Sequence, residues 1–164
     1  MTNLMYSIAR LMAILLIVVS AFTVQADPVR SNVVETLSDP IREILQQEMT
    51  LIQSAVMDII PAYAAGDTGE ITRIAKSIQD SYILNQRLSN QQHHELHEKL
   101  PPDFILLDKK VHYYAGMIGE AAQQRKYEQI GFYLSRLTES CSECHNRYAR
   151  HRFPIFAEQH ESRF

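Results

Sequence analysis

Both cysteines of this 164-residue chain fall within five residues near its C-terminus, in the string Cys141-Ser142-Glu143-Cys144-His145. This placement constrains the fold in two ways. A disulfide across two intervening residues closes too little chain to be more than a weak staple, so the domain must be held by apolar burial. The string also continues a run of Tyr127, Ile130, Leu134, Leu137, Cys141, Cys144, His145 and Tyr148 at spacings of three and four. That period predicts one face of a last helix from about Gln124 to Arg150, with the cysteines and the histidine on the stripe that packs inward.

Helical rather than strand spacing recurs through most of the chain, glycine is scarce, and neither a repeat nor a low-complexity segment is evident. The expected fold is all-α. Asp39 as a cap followed by Pro40 opens a first helix with Ile41, Ile44, Leu45, Ile52, Ala55, Val56 and Ile59 on its apolar stripe. Gly66 stops that helix, and Pro61 is expected to kink or end its last turn. Asp67-Thr68-Gly69-Glu70 has the form of a capping box before Ile71, Ile74, Ala75, Ile78 and Tyr82, a second helix running to about Leu88. Ser89 to Lys99 is polar, carries three histidines and is short enough for one small helix; Leu100-Pro101-Pro102 then breaks the chain. Asp103 is expected to cap a third long helix with Phe104, Leu107, Val111, Ala115 and Ile118 on one face.

C-x-x-C-H is the pattern of covalent c-type haem attachment: two thiols add across the vinyl groups as thioethers, and the adjacent imidazole becomes the proximal iron ligand. At i, i+3 and i+4 of a helix, Cys141, Cys144 and His145 meet one edge and one face of the macrocycle. Two other chemistries use such residues. A redox dithiol expects a βαβ context that this chain lacks, and a zinc site would need His151 to come back around a short segment to join the other three.

The N-terminus agrees with the haem reading. Met1 to Arg10 carries one positive charge, Leu11 to Val24 is an almost unbroken apolar run, and Val24-Gln25-Ala26 has the form of a small-residue cleavage site. The expected organisation is a cleaved signal peptide at 1–26, a lead-in at 27–38, the helical domain at 39–152 and a loosely held tail at 153–164. The apolar run is shorter than the ~20 residues a spanning helix needs, so no membrane association is expected after cleavage. Export to the periplasm is the expected destination. Losing Arg10 leaves 15 of the 16 basic residues against all 19 acidic ones, a net charge near −4. No basic stripe suits nucleic acid and no polybasic segment suits a membrane surface.

A secreted chain of four amphipathic helices with a C-terminal C-x-x-C-H resembles the class II cytochromes c, the cytochrome c′ and c-556 group. The resemblance covers about Asp39 to Arg152. It rests chiefly on Cys-Ser-Glu-Cys-His-Asn-Arg-Tyr in the last helix and on a first helix ending in Ala-Ala-Gly-Asp. It implies an antiparallel four-helix bundle enclosing one covalent haem c, held by Cys141, Cys144 and His145. It also implies a residue of the first helix facing the sixth iron position; counting back from Gly66 places Met49 there, although Leu45 and Ile52 lie nearer the middle of the stripe. Cytochromes c′ typically carry Arg four residues after the haem histidine, where this chain has Ala149 between Arg147 and Arg150.

Three further residues stand out. His112 lies one turn after Asp108 and is open to three roles: distal ligand, propionate partner or a histidine pinned by a carboxylate. Glu48 falls inside the first helix's apolar stripe, either near the haem edge or snorkelling to water. His93, His94 and His97 read as a solvated face. The expected function is a carrier of single electrons between redox partner proteins, with no substrate turnover and with a homodimer open to it. The alternative is a five-coordinate haem protein that binds nitric oxide or carbon monoxide; no distal acid–base pair at fixed spacing suggests an enzyme.

Overall fold

The structure, a computed structural model, describes residues 30–82, 88–153 and 156. Every regular element among them is helical. The expected signal peptide at 1–26 and the start of the lead-in lie outside the described residues, as does most of the tail. A 3-10 segment at Arg30–Thr36 leads into α1 (Asp39–Ala65), followed by α2 (Thr68–Asp80), α3 (Asn90–Lys99), α4 (Pro102–Gln123), α5 (Tyr127–Tyr148) and a 3-10 turn at Arg150–Arg152. None of the described helices is long and apolar enough to cross a membrane.

Most of the apolar stripes are buried as their spacing predicts; Ile44, Val56 and Leu134 are half-covered, and Tyr127 at the start of the last stripe is exposed. Helix ends differ from expectation in instructive ways. α1 is capped at Ser38, one residue before the expected Asp39, and the Ser38 N–H donates not into its own helix but to Glu95 of α3 at 2.6 Å. Pro61 does not end α1, which continues to Ala65. Its missing N–H would have served the carbonyl of Met57, a residue 64 % exposed, so water can take that role. The cap of α4 is Pro101, with Pro102 in the first turn, because the two prolines already fix the extended-to-helical switch before Asp103 is reached. α2 ends at Asp80 rather than near Leu88, and residues 83–87 lie outside the described set.

Two helices end in the same way. Gly66 sits at φ 70°, its N–H donating to Tyr63 and that of Asp67 to Ala62; Arg125 sits at φ 54°, its N–H donating to Ala122 and that of Lys126 to Ala121. Both are Schellman closures, in which a left-handed residue lets two N–H groups satisfy the last carbonyls. The second moves the start of α5 from the expected Gln124 to Tyr127. These short connections return the chain on itself, so α1 packs on α2 and α4 on α5, while α2 also packs on α4. At that end the Tyr63 hydroxyl donates to the Tyr127 carbonyl and the Tyr127 hydroxyl to the Gly66 carbonyl. Gly131 leaves the room required, since a Cβ there would lie 2.8 Å from the Tyr63 oxygen.

α3 is a short helix with a complete Ser89–Gln92 capping box. It buries Leu96 completely, and Lys99 reaches both Glu95 and the Thr36 carbonyl, tying α3 to the entry of α1. The interior consists of two apolar clusters. The upper joins Ile52, Ala55 and Ile59 of α1 to the buried faces of α2, α4 from Val111 onward and Leu137 of α5. The lower joins Leu37, Ile41, Leu45, Leu96, Leu100, Phe104, Leu107 and Tyr148. They share no residue.

Candidate functional site

The C-x-x-C-H string lies where the two clusters meet. Cys141 packs against the upper cluster and Cys144 against the lower, one turn apart on the inward side of α5. Both are free thiols. Burial pushes the Cys144 thiol up to about 12, with the Asp108 carboxylate adding to it, and burial raises Cys141 too. A redox dithiol or a ready zinc thiolate pair needs the opposite shift. Burial lowers His145, leaving its imidazole neutral at neutral pH, the form that ligates a metal. Its ring stacks on Phe153 with centroids 4.4 Å apart.

His151 does not return to the cysteines: its Nε2 lies 3.3 Å from Glu35. The Cys2His2 alternative is therefore not assembled. Arg147 turns to Asp103 at 3.1 Å, and Arg150 folds back onto Asn146, so neither takes the place that Ala149 leaves vacant. The exposed side of the motif is bordered by Lys110, paired with Glu143 at 3.0 Å.

On α1 the residue that turns inward at the level of the motif is Glu48, 2 % exposed, whereas Met49 is 37 % exposed. Along α1 the buried series passes from Leu45 of the lower cluster through Glu48 to Ile52 of the upper; along α4 it passes from Leu107 through Asp108 to Val111. Glu48, Asp108 and His112 thus form a polar seam across the core. His112 Nε2 is 3.1 Å from Glu48 and 3.7 Å from Asp108, and its Nδ1 lies 2.7 Å from the Ile78 carbonyl. A carbonyl can only accept, so Nδ1 carries a proton. Burial alone would depress His112, but hydrogen bonds to Asp108 and Glu48 outweigh it and raise the imidazole to about 9. His112 is pinned by Asp108, one of the roles open to it, and by a second carboxylate from another helix.

The pairing of Asp108 with His112 follows from their i, i+4 spacing. That Glu48 meets them does not, because it depends on the register of α1 against α4; its only signal was a charge inside an apolar stripe. His94 pairs with Glu98 at 3.8 Å on the surface of α3 and His97 is exposed, in keeping with a solvated face. A groove between α1 and α2 is lined by Glu43, Gln47, Asp58 and Arg73 and touches neither the cysteines nor His145. In comparison with known proteins, no family model, no curated protein and no solved structure matches the chain.

The donor set suits a covalent haem: two protonated thiols one turn apart on the inward side of one helix, and a neutral, half-buried imidazole next to the second.

Proposed function

We propose that the chain is a periplasmic monohaem c-type cytochrome of the class II kind, an antiparallel bundle of α1, α2, α4 and α5 enclosing one haem c. It carries single electrons between protein partners and turns over no substrate. Cys141 and Cys144 hold the haem as thioethers and His145 ligates the iron. When bound, the haem supplies the one-electron centre. The observation that carries this reading is the alignment of both thiols on the inward side of α5, where the two apolar clusters meet, with the half-buried His145 directly after the second. In the electron-carrier form Met49 is the candidate sixth ligand.

A second reading, a five-coordinate haem that binds nitric oxide or carbon monoxide, is favoured by one observation. Met49 is 37 % exposed while Leu45 and Ile52 are buried on the same helix, so the inward face that α1 itself presents there is apolar apart from Glu48. One preparation tests both. Acidified-acetone extraction should leave the pigment on the protein, and extraction of free pigment, or zinc in place of iron, would sink the central claim. Carbon monoxide added to the reduced protein should bind slowly if a sixth ligand is present; immediate uptake selects the gas-binding form.

A further inference from the structure

We propose that Glu48, Asp108 and His112 form a second site, separate from the haem motif, for one divalent first-row transition-metal cation. Among the described residues these three are the only group of histidine, cysteine and acidic side chains whose ligand atoms converge, all lying within 4.8 Å of one another. All three are at least nine-tenths buried. The orientation of His112 is that of a ligand: its Nδ1–H is spent on the Ile78 carbonyl, which fixes the tautomer and aims Nε2 at both carboxylates. Bonds of about 2.0–2.2 Å in a tetrahedral site separate neighbouring donors by about 3.3–3.6 Å. The separations of His112 Nε2 from Glu48 and Asp108, 3.1 and 3.7 Å, bracket that range; the set as a whole spans up to 4.8 Å, so a cation would have to draw the two carboxylates together.

Charge points the same way. Two carboxylates and a neutral imidazole sum to −2, which a divalent cation cancels, whereas a proton on Nε2 leaves the set at −1. Two further polar atoms lie unused. The Asp108 Oδ2 and the Tyr82 hydroxyl are buried with no hydrogen-bond partner among the described residues, and the Tyr82 ring lies 4.8 Å from that of His112. One nitrogen with hard oxygens suits zinc, manganese or ferrous iron, and too few oxygens converge for calcium.

The test uses the full chain as purified, stripped with a chelator and dialysed overnight against zinc and, separately, manganese. One equivalent should remain per chain beyond any haem iron. His112→Ala and the isosteric Glu48→Gln should each weaken binding at least tenfold, with far-UV circular dichroism checking that both remain folded. Zinc that binds His112→Ala as tightly as the wild type resides on surface histidines and overturns the proposal. So does a wild type that retains less than a tenth of an equivalent.

Discussion

At the scale of single residues, His112 matters most because its ring is held from three helices: the Ile78 carbonyl of α2, Glu48 of α1 and Asp108 of its own α4, with the Tyr82 ring against it. In metal-free protein it should impose a pH dependence on stability. A folded value of about 9 against an ordinary 6.5 means that the folded state keeps a proton the unfolded chain releases. The stabilisation is therefore complete below about pH 6.5 and is lost as pH rises through about 9. Melting temperatures measured with chelator across that window should fall more steeply for wild type than for His112→Gln. Near neutral pH the substitution should itself cost about 3–5 kcal/mol, the usual result of leaving a buried charge without its partner. Equal slopes for the two proteins would show that the imidazole does not titrate there. The sequence made half of this cluster readable, through the one-turn spacing of Asp108 and His112. It left Glu48 as an oddity because contact between distant helices is set by packing register, which no local pattern encodes.

At the scale of elements, the stripes of α1, α2, α4 and α5 were legible because burial imposes a 3.6-residue period on the sequence itself. Their ends were less so. Ser38 and Asp39 are both good caps, and only the backbone's departure from helical geometry selects between them. The closure of α4 escaped notice because its left-handed residue is Arg125 rather than glycine. The two Schellman closures thus form a natural pair for a test. Gly66→Ala should destabilise by about 1–2 kcal/mol, the cost of a side chain in left-handed backbone. A Cβ at Gly66 meets only ordinary contacts from Tyr127, so that cost is purely conformational. Arg125→Gly should move the other way, stabilising by up to about 1 kcal/mol, since glycine relieves the strain but loses more entropy on folding. Urea midpoints of the two variants should therefore shift in opposite directions; a shift in the same direction would mean that tertiary contacts, not backbone conformation, set these corners.

At the scale of the molecule, the seam divides the interior into two separate apolar clusters. The lower cluster buries eight residues, three of them, Leu37, Leu96 and Leu100, on or beside short elements. A haem anchored at Cys141 and Cys144 would contribute apolar contact to both halves, and a vacancy of its size costs on the order of 24 cal/mol per Å3 against a stability of about 5–15 kcal/mol. The double variant Cys141→Ala, Cys144→Ala should accordingly lose helicity and melt at lower temperature. Unchanged circular dichroism and melting would show that the helices hold themselves. The division of the core also bears on how such a chain can drift. Because the two clusters share no residue, a substitution in one leaves the contacts of the other intact, and their effects should add. Across the seam no such freedom exists: losing His112 alone leaves two carboxylates facing each other, and losing either carboxylate alone changes what the imidazole must neutralise. Descendants of this sequence can therefore revise the two cores independently and gradually, while Glu48, Asp108 and His112 are inherited, or abandoned, as a single character.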